Sequence, residues 1–211
     1  MMLINDSLFK RLFHVGLVRQ RLLYAKLIKT EFSDCDLILD VGCGAGIFIG
    51  ACKRFGKFVV GVDVDPGQLS HAVNYSKGYS KGLLVLADAS YLPFKDSSVD
   101  GVFFSHVIEH LENPFPILEE IRRVLKKGGV LVVITPTEHK HFYTPGHVRA
   151  YTKKTLSETL LKAGFLNVYT VYGSSFLLGI KDSEFLKGII SMMPIRWFKE
   201  ILIAKAVNQK I

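Results

Sequence analysis

The feature that most constrains this chain is a series of five short apolar runs without polar alternation: Leu37–Val41, Phe58–Asp63, Leu83–Ala87, Val99–Phe104 and Val130–Ile134. A strand with one wet face alternates apolar and polar side chains, so a continuous run predicts a strand buried on both faces. Helical stretches separate the runs. One follows Gly46 to about Phe55, one follows Asp65-Pro66 and carries Leu69, Ala72 and Val73, and one extends from about Pro114 to Leu125. Lys126-Lys127-Gly128-Gly129 reads as the stop of that third helix. Strands alternating with helices need crossover connections, which build a mostly parallel sheet with helices on both faces. Asn167–Tyr172 and Ile201–Ala206 are the sixth and seventh strand candidates, and a helix over Lys153–Ala163 precedes the sixth.

The expected fold class is therefore α/β, doubly wound and Rossmann-like, in one domain over residues 1–211. Its parts are an N-terminal amphipathic helical segment over 1–30, a ligand-binding core over 36–172, and a basic apolar helical insertion with the final strand over 173–211. Apolar Leu8, Leu12, Val15, Leu23 and Leu27 recur at helical spacing in the first segment, with lysines and arginines between them.

Open sheets of this kind bind ligands at the carboxyl ends of their strands. Three candidate elements fall there. Asp40-Val41-Gly42-Cys43-Gly44-Ala45-Gly46 joins the first strand to its helix, where glycine allows a tight turn and close approach by a ligand. Backbone N–H groups at that helix start would favour a carboxylate or phosphate. Asp63 closes the second strand 21 positions after Gly42, where an acid can accept from ribose hydroxyls. Asp88 and Ala89 follow the third strand and could read an adenine amino group, with Val64 and Leu92 flanking the ring. A nicotinamide fingerprint would need glycine at position 47 or 49, and isoleucine stands at both.

These motifs, in this order, resemble those of class I S-adenosylmethionine-dependent methyltransferases. Ile38–Gly46 is similar to the first motif, Val59–Asp63 to the second, and Ala87–Ala89 with Leu92-Pro93-Phe94 to the third. Ser105–Leu111 resembles the end of the family's fourth strand, and Leu125–Pro136 the Gly-Gly turn and fifth strand beyond it, so the likeness covers residues 36–172. The resemblance implies a seven-stranded sheet with an antiparallel last strand, and S-adenosylmethionine as cofactor with S-adenosylhomocysteine as product. It also implies that Asp40, Gly42, Cys43, Gly44 and Gly46 hold the methionyl portion, Asp63 the ribose, Asp88 and Ala89 the adenine, and Ser105 the methyl end. The activity implied is methyl transfer by direct displacement to a small-molecule or lipid-like acceptor. An RNA acceptor, or a regulatory module that binds the cofactor without turnover, are the alternatives.

Three histidines could add chemistry to this frame. His106, Glu109 and His110 spell H-x-x-E-H, a zinc-protease pattern, but position 106 directly follows a strand rather than lying on a helix. The expectation is no metal, with His106 facing the acceptor. His147 is the second acceptor-side candidate, in a loop after the fifth strand, with Thr152 as the following helix cap.

The net charge of +8 resides in the ends: residues 1–30 carry +5, residues 181–211 carry +3, and the stretch between is neutral. A nucleic-acid surface would spread its charge over the domain. Basic apolar ends instead suggest contact with a membrane surface or an acidic partner. No apolar run reaches the roughly 18–20 residues of a membrane span, and Met1–Lys10 lacks a signal-peptide pattern. Cys35, Cys43 and Cys52 form no CxxC, which points to free thiols and a cytoplasmic location.

Overall fold

In the computed structural model, residues 20–138, 145–173 and 201–209 are described. Seven strands form one sheet in the order β3-β2-β1-β4-β5-β7-β6. They are β1 (Leu37–Val41), β2 (Phe58–Asp63), β3 (Gly82–Leu86), β4 (Val99–Ser105), β5 (Leu125–Pro136), β6 (Leu166–Gly173) and β7 (Ile201–Val207). β1 to β5 pair in parallel, and β7 inserts antiparallel between β5 and β6. The helices are α1 (residues 20–30), α2 (Ile47–Lys53), α3 (Pro66–Ser76), α4 (Phe115–Val124) and α5 (Lys153–Lys162).

The continuous apolar runs divide by strand period between two cores. Leu39 and Val41, Val102 and Phe104, and Leu131 and Val133 enter one cluster with α4 and α5 residues. Ile38, Phe103, Val132 and Ile134 enter the other, against Leu23, Tyr24, Leu27 and Ile28 of α1 and Phe48 and Ile49 of α2. Phe48 stacks on Phe103 at 3.9 Å, and Tyr24 meets both rings edge-on. The apolar face of α1 is thus buried on the sheet. Residues 1–19 and 174–200, which hold the other segments read as membrane-facing, lie outside the described residues, as do His139 and His141.

Local chemistry ends the elements where it must. Asp65 caps α3 by accepting from Gly67 N at 2.7 Å, with Pro66 at the first helical position. Thr152 and Thr155 form a reciprocal capping box on α5. The Lys126–Gly129 segment differs from expectation. It continues β5 as strand, because Gly128 takes a φ of +79° and the ladder against β4 shifts between Val99 and Gly101. Buried Asn208 secures this irregularity, donating through Nδ2 to the carbonyls of Arg122, Leu125 and Lys126.

Candidate active site

The carboxyl ends of β1 and β4 open into a cavity of about 260 Å³ lined by Asp40, Gly42–Ala45, Ile47, Phe48, Gln68, Phe103, Ser105 and His106, with Gln20 and Tyr24 of α1. Asp40 is 3% exposed. Burial, reinforced by Asp63, pushes its carboxyl up to about 8. Tyr24, also buried, has its phenol pushed up to about 12 by desolvation, so it keeps its proton at neutral pH. Its hydroxyl accepts from Gln20 Nε2 at 2.7 Å and lies 3.4 Å from Ser105 Oγ.

The three glycines of the turn all have positive φ but do different work. A Cβ on Gly42 would stand 2.3 Å from Val107 Cγ2, and one on Gly46 would stand 3.0 Å from Ala72 Cβ. These two close the turn against its neighbours. A Cβ on Gly44 would meet nothing nearer than Gln68 Oε1 at 3.8 Å, so this bare backbone faces the cavity. Four of the turn's N–H groups are satisfied internally. Gly42 and Cys43 donate to Val62 O, Gly46 donates to Cys43 O, and Gly44 donates to Asp63 Oδ2 at 2.8 Å.

Asp63 also accepts from Asp65 N at 3.0 Å, which leaves each carboxylate oxygen a further lone pair. Ala87 N donates to Asp63 O, and Asp88 lies two residues beyond Leu86, the register partner of Asp63. Asp88 is exposed and accepts from Ser90 N. Gly44, Asp63 and Asp88 therefore follow one another along a single sheet edge, from the half-open cavity onto an exposed shelf. Val64, 70% exposed, stands on that shelf with Ala89 nearby, whereas Leu92 is only 3% exposed and belongs to the core beneath. Arg123 braces the far side of the shelf, pairing with Glu120 and Asp96 and donating to the carbonyls of Leu92 and Phe94. Cys35, Cys43 and Cys52 are buried free thiols.

His106 reaches the cavity wall with φ +56°, a conformation uncommon for a non-glycine residue. Its Nδ1 lies 3.2 Å from Glu109 Oε1. His147 does not line the cavity. Its ring meets His110 edge-on at 4.8 Å, on the other side of Glu109. Sequence reasoning missed Gln68 of α3, which carried no signal, and Tyr24 and Gln20 of α1. The only signal of the latter two was the apolar face of α1, which shows that the helix packs but not where.

The donor set suits an adenosyl sulfonium. Asp40 lines the cavity and can release its proton to meet a cationic amine or sulfonium. Gly44 presents bare backbone to the cavity, and Asp63 and Asp88 place carboxyl groups along the edge beyond it. A sheet in this order with these groups at its edge defines a class I S-adenosylmethionine-dependent methyltransferase fold.

Residues 39–133, a little under half of the chain, match the model of the family described as Methyltransferase domain. An uncharacterized methyltransferase of Mycolicibacterium gilvum is 41% identical over 96 residues, covering 46% of this chain and 37% of that relative. The chain thus matches little more than a third of such relatives' length. A SAM-dependent methyltransferase from Archaeoglobus fulgidus superposes with a TM-score of 0.67 at 23% identity, over 90% of this chain and 94% of that one. Phosphoethanolamine N-methyltransferase 2 of Haemonchus contortus, in complex with S-adenosyl-L-methionine, gives a TM-score of 0.63 at 20% identity, over 83% of this chain and 49% of that one.

Proposed function

We propose that the chain binds S-adenosylmethionine along the β1–β3 edge and transfers its methyl group to a small-molecule or amphiphilic acceptor entering past His106. The observation that carries this reading is the run of carboxyl groups and bare backbone along one sheet edge: Asp40 lines the cavity beside the Gly44 backbone, and Asp63 closes the neighbouring strand. When bound, the cofactor supplies an activated methyl group on a sulfonium. The chain's own residues then bind and orient. The Gly44 backbone and Asp40 receive the methionyl end, Asp63 the ribose, and Val64, Asp88 and Ala89 the adenine. The cavity is smaller than the roughly 300–1,000 Å³ of full ligand pockets, so it encloses only the methionyl half and leaves adenosine on the shelf. Ser105, with Tyr24, borders the methyl end. His106, steered by Glu109, can accept a proton from an acceptor that carries one. Holding acceptor and methyl group in line can lower a barrier by about 7–11 kcal/mol, so no further chemical apparatus is required.

The neutral charge of residues 31–180 favours a small acceptor over RNA. Calorimetric titration with S-adenosylhomocysteine tests the binding. Asp63→Ala should weaken it by about 1–3 kcal/mol through lost hydrogen bonds to a charged group. Absence of binding by the native chain refutes the reading. Methyl-labelled cofactor added to a cell extract, with and without ribonuclease, separates a small acceptor from RNA and from a module without turnover.

A further inference from the structure

Beyond the cofactor cavity, ligand atoms of Glu109, His110 and His147 lie within 4.8 Å of one another, although His147 is 37 residues away in sequence from His110. We propose that these three side chains form a binding site for a divalent first-row transition-metal ion, of the zinc, iron or manganese kind.

The geometry around them is that of prepared ligands. His110 Nδ1 lies 3.0 Å from the carbonyl oxygen of Gly146. A carbonyl can only accept, so Nδ1 carries the proton and the lone pair is on Nε2, the nitrogen left to coordinate. Thr135 Oγ1 donates to Glu109 Oε2 at 3.1 Å and fixes the carboxylate plane. The loop bearing His147 is tied to the same glutamate, because Val148 N and Arg149 N both donate to Glu109 O. Glu109 is 0% exposed, a costly place for a carboxylate unless partners gather round it. Thr135 and His106 supply two such partners, but they do not account for two more imidazoles converging from separate segments.

The donor set decides the metal class. Two imidazoles and one carboxylate suit zinc, iron or manganese, whereas magnesium and calcium favour oxygen ligands throughout. Three protein ligands also leave open positions, as in reactive rather than structural sites. Bonds of about 2.0–2.1 Å in a tetrahedral arrangement hold ligand atoms roughly 3.4 Å apart. The present spread of up to 4.8 Å is wider than that, so coordination requires the exposed His110 and half-buried His147 side chains to adjust. Glu109 also holds His106, so an ion here lies one side chain beyond the cavity wall, placed to grip an acceptor through an oxygen lone pair. That role rests on the methyl-transfer reading; the binding itself does not.

The test is a titration of the chelator-treated full chain with Co²⁺, followed by its visible absorption. Native protein should bind one equivalent, and His110→Ala or His147→Ala should each weaken binding by about tenfold or more. Both histidines reach solvent, so these variants should keep the native melting profile, and any loss of binding is not a loss of fold. Mg²⁺ in large excess should not displace Co²⁺. No stoichiometric uptake, equal binding by both variants, or displacement by Mg²⁺ would overturn the site. S-adenosylhomocysteine titrated into the same samples keeps the two readings apart. Its binding without Co²⁺ uptake removes the metal site alone, and Co²⁺ uptake without its binding removes the cofactor reading alone.

Discussion

Asp40→Asn should stabilise the ligand-free protein at alkaline pH while impairing its binding of the cofactor. Asp40 carries a raised carboxyl in the fold, at about 8 against an ordinary 3.8, because burial and then Asp63 oppose its charge. Below the ordinary carboxylate range the folded and unfolded chains are both protonated there, and the group is silent. As pH rises further, the unfolded chain sheds the proton and the folded chain keeps it. Folding is therefore penalised progressively until about pH 8, and the penalty then levels off. At ~1.36 kcal/mol per pH unit the ceiling is roughly 5–6 kcal/mol. Water in the adjoining cavity screens the charge, so about 2 kcal/mol is the expected size. Asparagine keeps the shape and has no proton to lose. Urea unfolding of both proteins between pH 5 and 9 measures the difference, in which the histidines and the acids Asp100, paired with Lys126, and Glu120, paired with Arg123, cancel. The native chain should lose stability relative to Asp40→Asn as pH rises, ending about 2 kcal/mol below it. The same variant should bind S-adenosylmethionine about tenfold more weakly, through the lost carboxylate opposite a cationic ligand. A stability difference that does not change with pH, or an asparagine variant less stable at pH 8, would refute the reasoning.

Two further perturbations separate packing from binding. Gly42→Ala drives a methyl group into Val107 and should lower the melting temperature by several degrees, whereas Gly44→Ala meets only backbone strain of about 1–2 kcal/mol and should chiefly abolish calorimetric cofactor binding. Arg123→Ala frees the shelf beyond β3, removing bonds to Glu120, Asp96 and two carbonyls. It should cost about 1–2 kcal/mol in urea unfolding and leave cavity variants' effects on binding additive.

The strands and the glycine turn are legible in the sequence because their physics is local. A run such as Ile38–Val41 must be buried on both faces wherever it lies, and Gly42, Gly44 and Gly46 must bend the chain between a strand and a helix. Asp63 and Asp88 can be placed by the same logic, since one closes a strand, the other closely follows one, and parallel strands present their carboxyl ends together. The Lys126–Gly129 segment is not legible in this way, because a glycine that stops a helix and one that admits an irregular strand look alike in sequence. Only pairing with Val99 and the bonds from Asn208 distinguish them.

Three properties were decided by tertiary packing alone. Tyr24 lies 81 positions from Ser105, and no periodicity relates them until α1 docks across Phe48 and Phe103. The charge state of Asp40 depends on how completely neighbours exclude water, a quantity that no residue type encodes. Glu109, His110 and His147 become a cluster only because the loop after β5 folds back onto the Glu109 backbone. Sequence patterns report what each segment must bury; which side chains then meet across the sheet edge depends on contacts between distant segments, whose geometry exists only in the packed fold.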